Sequence, residues 1–171
     1  MKITFLGTGT SQGIPMIANN DPVCMSTNPK DKRLRSAIMI SWGTNCYVID
    51  CGPDFRQQML RENVQSINGV LFTHEHADHT AGIDDLRPFT YKMGEVPIYA
   101  QKRVIDNLKI RFSYIFETKN RYAGAPKLSE NIVGSSSFLL QEVQVTPINV
   151  MHGKLPIIGY RFNDLAYITD L

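Results

Sequence analysis

The sequence predicts a layered α/β fold, and three observations carry that reading. Short β-rich runs joined by tight turns open the chain, such runs then alternate with amphipathic helical patterns, and consecutive strand patterns close it from Phe138 onward. Hairpins followed by strand–helix alternation fit stacked layers better than an all-parallel sheet. The 171 residues are 43% hydrophobic and 20% charged, enough for one sizeable core, so a single domain over 1–171 is expected.

Lys2 to Leu6 reads as the first strand, and Gly7-Thr8-Gly9-Thr10-Ser11-Gln12-Gly13-Ile14-Pro15 as a loop. Ser36 to Trp42 and Asn45 to Asp50, rich in Ile, Val and Tyr and split by Gly43-Thr44, read as an antiparallel hairpin. Between Pro53 and Asn63, the spacing of Phe55, Met59 and Leu60 predicts an amphipathic helix with Pro53 near its first position. Val70-Leu71-Phe72-Thr73 is a continuous apolar run, the pattern of a strand buried on both faces, and it ends directly at His74. A short helix around Ala81 to Phe89 follows, then a strand over Val96 to Ala100 and a helix over Lys102 to Arg111 with Val104, Ile105 and Leu108 inward. The polar tract Glu117 to Asn131 reads as an exposed loop. Phe138 to Gln141, Glu142 to Val150, Ile157 to Phe162 and Leu165 to Thr169 read as strands, with turns at Gly153 and Asn163-Asp164.

A formal net charge of +2 without runs of like charge gives no argument for attraction to nucleic acid or to a membrane surface. No stretch approaches the roughly 18 uninterrupted apolar residues of a membrane span. Met1 to Leu6 enters a strand pattern with no secretory signal, so a cytoplasmic location is expected. Cys24, Cys46 and Cys51 are odd in number and match neither a disulfide framework nor a paired zinc clip, and reduced thiols are the simplest reading.

Three of the four histidines fall in His74-Glu75-His76-Ala77-Asp78-His79. Imidazole and carboxylate are ligands for zinc, manganese and iron, and several on one short loop converge at little cost in closure entropy. The alternative, solvated or backbone-capping histidines, suits a single residue better than this cluster. His152 and Asp170 each follow a strand pattern, as His74 does. If those strands share a sheet side, their ends can bring both residues to the His74 loop.

The H-x-H-x-D-H string with a later His and a later Asp after strands resembles the metallo-β-lactamase superfamily. That resemblance implies a four-layer αββα sandwich, here lacking its C-terminal part, because members continue past the later aspartate to a final histidine and this chain has no fifth histidine. It implies two divalent metal ions, zinc or manganese with iron as a further option. His74, His76 and His152 would hold one, Asp78 and His79 the other, and Asp170 would bridge both. Glu75 and Ala77 would not be ligands. The opening Phe5 to Pro15, with Arg35-Ser36, Asp50-Cys51-Gly52 and His152-Gly153-Lys154, is similar to the phosphoribosyl cyclic phosphodiesterase-like branch, and more loosely to tRNase Z. That branch carries three cysteines of a structural zinc site where this chain has Asn19, Asp21 and Cys24, so that site is expected to be absent.

The resemblance thus implies hydrolysis of a small, cyclic or nucleotide-like phosphodiester by water activated between the ions, with Asp78 and Asp170 orienting it. Lys154 and Arg87 are candidate phosphate contacts. Asp84 and Asp85, near a helix start, are read as dipole partners. Lactone or thiolester hydrolysis, tRNA 3′ processing and a non-catalytic metal-binding module stay open as alternatives. A nucleic-acid partner is not expected, a membrane is not, and an uncovered sheet edge makes a homodimer an option.

Overall fold

The computed structural model describes residues 1–171. β1 (Lys2–Gly7), β2 (Ala37–Trp42) and β3 (Asn45–Ile49) form an antiparallel meander, and β4 (Gly69–Leu71), β5 (Val96–Ala100) and β6 (Leu128–Ile132) extend it in parallel as a six-stranded sheet. A second sheet, in the order β10 (Leu165–Tyr167), β9 (Leu155–Phe162), β8 (Val143–His152), β7 (Phe138–Leu140), is antiparallel throughout. The predicted hairpin at Gly43-Thr44 is present, with Gly43 at a φ of 53° that its missing Cβ makes easy.

Two cores follow from the alternation of side chains along the strands. Val48, Val70, Ile98 and Ala100 point to one face of the first sheet, where they meet Phe55 and Met59 of α2 (Phe55–Arg61), Phe89 of α4 (Arg87–Met93), and Val104, Ile105 and Leu108 of α5 (Lys102–Arg111). Ile38, Ile40, Tyr47, Ile49 and Leu71 point to the other face and meet Val145, Ile158, Tyr160 and Phe162 of the second sheet. The helices α2, α4, α5 and α6 (Ser113–Phe116) therefore cover the first sheet only. Residues 1–171 build three layers, and no helix follows β6 to form a fourth.

Several elements differ from the sequence expectation. Where a single helix is expected around Ala81 to Phe89, the chain makes one tight turn at Ile83–Leu86 and then α4, and a separate single turn, α3 (Ala77–Thr80), precedes that span. Pro88 lacks an amide hydrogen and so sits in a helix's first turn, which restarts the helix at Arg87. The tract Glu117 to Asn131 is not all loop, because Leu128 to Ile132 pairs in parallel with β5. Ser129, Glu130 and Asn131 hide this strand in the sequence, since an edge strand tolerates polar residues that a central one excludes. α1 (Pro22–Met25) and α6, four residues each, are too short to show a period. β8 continues through His152, which faces Leu155 across the turn at Gly153.

The two sheets are also joined by hydrogen bonds. The buried Tyr160 hydroxyl donates to the Phe72 carbonyl (2.8 Å), and the Ile158 amide donates to the Thr73 carbonyl (3.1 Å). Replacing Tyr160 with Phe leaves the shape and removes the donor, and we expect a loss of about 1–2 kcal/mol in denaturant-induced unfolding. An unchanged midpoint would show that the bond contributes nothing net.

Candidate metal centre

The loop that starts at His74 leaves the C-terminal end of β4, a strand with no exposed residue. Its back lies on the turn after β3: the Cys51 amide donates to the His79 carbonyl (2.8 Å), and the Gly82 amide donates to the Cys51 carbonyl (2.9 Å). Gly52 permits this approach, because a Cβ there would run into the carbonyl oxygen of Asp78. His74 and His76 occupy the extended lead-in, while Asp78 and His79 fall in the single turn of α3, whose Thr80 hydroxyl donates to the His76 carbonyl (2.8 Å).

β8 and β10 run in the same direction on either side of β9, so their C-terminal ends deliver His152 and Asp170 to one end of the sandwich. The structure brings together two groups of donors. One ligand atom each from His74, His76, His152 and Asp170 lie within 4.8 Å of one another, and so do those of Asp78, His79 and Asp170. Asp170 belongs to both: its Oδ2 is 3.7 Å from His74 Nε2, 3.9 Å from His152 Nε2 and 3.2 Å from His79 Nε2. A cleft of about 490 Å³ opens over the cluster, lined by His76, Asp78, His152, Thr169 and Asp170 on one side and by Thr8, Gly9, Thr10, Ser11 and Ser36 on the other. The opening loop is held there by Arg35, which donates to the Ser11 carbonyl (2.8 Å) and pairs with Asp54 (2.9 Å), and by the Ser36 hydroxyl donating to the Gly9 carbonyl (2.9 Å).

Neither Arg87 nor Lys154 lines this cleft. The Arg87 guanidinium is taken up by Asp84, which also accepts from the Tyr114 hydroxyl (2.6 Å), while Asp84 and Asp85 both lie in the first turn of the short helix Ile83–Leu86. Lys154 is exposed in the β8–β9 turn. Glu75 turns away from the cluster toward Arg103.

Asp50, which sequence reasoning did not place in the site, is fully buried. Its carboxylate accepts from the Thr73 amide (2.8 Å) and the Thr73 hydroxyl (2.9 Å), and meets His79 Nδ1 at 2.7 Å. An ionised carboxylate only accepts, so the Nδ1 proton belongs to His79 and Nε2 faces Asp78 (3.3 Å) and Asp170. The available signal was an aspartate closing an apolar strand, where burial demands a partner.

Burial works against a charged His79, but the Asp50 charge and hydrogen bonds with Asp170, Asp50 and Asp78 outweigh it and push its pKa up to about 12. His74 goes the other way: burial, then the neighbouring His79 charge, take it down to about 4, which leaves its lone pair free. The hydrogen bond with His79 and that with Thr169 hold Asp170 well below the usual carboxylate range against its burial. Three carboxylates thus surround one imidazolium, and a cation can offset the remainder. Nitrogen and carboxylate oxygen donors at these separations suit a divalent ion of the zinc or manganese kind.

The profile of the beta-lactamase superfamily domain matches residues 45–171, which takes in the whole cluster. The chain belongs to the metallo-β-lactamase superfamily. Within that superfamily it is similar to the crystal structure of a diphosphatase from the PhnP family, with a TM-score of 0.88 and 37% identity over 97% of this chain and 64% of that one. Among curated proteins it is 40% identical to a protein named octanoyltransferase from Porphyromonas gingivalis (strain ATCC BAA-308 / W83), over 100% of this chain and 35% of that protein. It is 26% identical to ribonuclease Z of Methanococcus maripaludis (strain C7 / ATCC BAA-1331), over 96% of this chain and 49% of that enzyme. The chain thus spans about a third to a half of the length of these curated relatives.

Two outcomes follow. Asp50→Ala strands a buried amide and a buried imidazolium, and we expect the metal-free protein to lose about 3 kcal/mol or more in unfolding. A loss below about 1 kcal/mol would mean that Asp50 anchors nothing. The carboxylates around His79 favour its protonated form in the metal-free protein, and an ion bound at its Nε2 must expel that proton. Zn²⁺ titrated into weakly buffered metal-free protein should release it, and affinity should rise about tenfold per pH unit near neutrality. A flat pH response would show that no proton leaves His79 when the ion binds.

Proposed function

We propose that this chain carries the catalytic centre of a metal-dependent phosphodiesterase acting on a small, cyclic or nucleotide-like phosphodiester. The observation that carries the reading is Asp170, whose single carboxylate is shared between the two donor groups and faces a cleft lined wholly by polar residues and glycine. His74, His76, His152 and Asp170 would hold one divalent ion, and Asp78, His79 and Asp170 a second. Such ions, when bound, neutralise charge on phosphate oxygens and lower the pKa of water.

The chain's own residues supply the rest. Asp78 and Asp170 would orient a water, Asp170 being itself steadied by the Thr169 hydroxyl that donates to its Oδ1 (2.7 Å). Asp50 fixes the tautomer and plane of His79. Thr10 and Ser11, on the wall opposite the histidines, are positioned for hydroxyl donation to phosphate or sugar oxygens.

The name octanoyltransferase belongs to a protein of which this chain matches about a third, and a cleft with no apolar side chain gives an octanoyl chain nothing to pack against. The same absence weighs against fatty thiolesters and lactones. Likeness to the PhnP-family diphosphatase favours a small phosphorus-containing substrate, and the ribonuclease Z relatives make RNA 3′ processing the second reading. The net charge of +2 offers little attraction for RNA.

Metal-loaded protein should hydrolyse bis-p-nitrophenyl phosphate, and His76→Ala should reduce kcat about 100-fold or more. Thr10→Val should raise KM about tenfold while leaving metal content unchanged. Equal rates for wild type and His76→Ala, or cleavage of an acyl thioester with no phosphodiester cleavage, would overturn this assignment.

A further inference from the structure

Glu75 lies between two of the clustered histidines, yet it turns away from them, and its carboxylate is engaged by Arg103 of α5. The same guanidinium donates through its other terminal nitrogen to the carbonyl of Pro156 (2.6 Å). Pro156 is on β9, paired with Met151 and adjacent in register to the His152–Leu155 pair. Arg103 therefore spans the loop of the first sheet that carries His74 and His76 and the hairpin of the second sheet that carries His152. From the same helix, Arg111 donates to the Glu75 carbonyl (2.7 Å) and to the Thr80 hydroxyl (3.0 Å), fixing the backbone of that loop from behind.

This bridge continues a pattern along β9. Tyr160 is tied to Phe72 and Ile158 to Thr73, each directly. Pro156, the next residue on alternate spacing, is tied to Glu75 through Arg103. Beyond Thr73 the chain leaves the strand, and only a long side chain reaches across. Arg suits this because its planar fork can serve a carboxylate and a carbonyl at once, whereas Lys offers a single point of attachment. His152 itself is about a third exposed and ends its strand, with a turn glycine following. Its position relative to His74 and His76 depends on what holds the hairpin against the loop.

We infer that Arg103, acting through Glu75 and the Pro156 carbonyl, is a positioning residue of the metal centre that sets His152 against His74 and His76. The inference rests on the metal reading of the cluster. It assigns Glu75 a function outside the ligand set, that of the anchor by which the loop is pulled into register with the second sheet. The guanidinium itself touches neither metal ligand atoms nor the cleft.

The test is Zn²⁺ affinity of the full chain, measured by competition with a chromogenic chelator, for wild type, Arg103→Ala, Arg103→Lys, Glu75→Gln and His152→Ala. Arg103→Ala should weaken the site that includes His152 about tenfold or more. Arg103→Lys and Glu75→Gln should fall between Arg103→Ala and wild type. In the His152→Ala background, Arg103→Ala should add less than a further twofold, which a general loss of stability would not reproduce. Should Arg103→Ala fail to fold, Arg103→Lys and Glu75→Gln in both backgrounds make the same comparison. Affinity within twofold of wild type in the Arg103 variants, or an equal loss with and without His152, overturns the inference. Wild type that takes up no Zn²⁺ overturns the metal reading and this inference together, so the two failures are told apart by the wild-type titration alone.

Discussion

Asp50 closes β3 with no exposed surface and a φ of 68°, and its two carboxylate oxygens take up the Thr73 amide, the Thr73 hydroxyl and the Nδ1 side of His79. Left-handed backbone is uncommon for a residue with a side chain, although Asp tolerates it better than most. Here the conformation turns the chain into Cys51-Gly52, on which α3 rests. One buried charge thus fixes where β4 ends, which tautomer His79 adopts and how closely the ligand-bearing turn approaches the sheet. The parallel register of β3 with β4, Ile49 beside Leu71, makes this possible by placing Asp50 next to the end of the strand that leads to His74.

From that anchor the arrangement spreads outward to the second sheet. β9 contacts the residues after β4 at Phe72 and Thr73 through hydrogen bonds, and at Glu75 through Arg103. The apolar packing between the sheets lies beneath these bonds, with Leu71 of the first sheet and Ile158 and Tyr160 of the second in the same cluster. Packing brings the sheets together without dictating an orientation to within a fraction of an ångström, whereas directional bonds do so. A site built from both sheets needs that second kind of interaction. The division of labour explains why polar contacts gather at the end where His152 and Asp170 arrive.

The clustered histidines are legible in the sequence because their proximity is local: H-x-H-x-D-H brings its members together whatever the rest of the chain does. His152 and Asp170 are legible as the polar residues that follow strand patterns. Asp50 is not, since its meaning comes from Thr73 and His79, which reach it only through a parallel pairing that no local pattern announces. Arg103 is hidden more fully, on the polar face of an amphipathic helix where a solvated cation is the ordinary reading. Arg87 misleads in the opposite direction: a cation soon after a metal motif suggests substrate, but Asp84 three residues earlier already holds it. The hairpin of β2 and β3 and the helix α5 carry clear periodicity and are read correctly, while β6 is masked by the polar residues an edge strand allows.

The two sheets are also consecutive in the chain, since every strand of the first ends by Ile132 and every strand of the second begins at Phe138 or later. As synthesis proceeds from the N-terminus, residues 1 to 132 can pair and gather their helices before the second sheet exists. The helical face is covered early by segments the same stretch supplies, but Ile38, Ile40, Tyr47, Ile49 and Leu71 must wait for Val145, Ile158, Tyr160 and Phe162. The nascent molecule therefore passes through a stage with one apolar sheet face bare and four of the six candidate ligands in place, when premature self-association competes most strongly with completion of the fold.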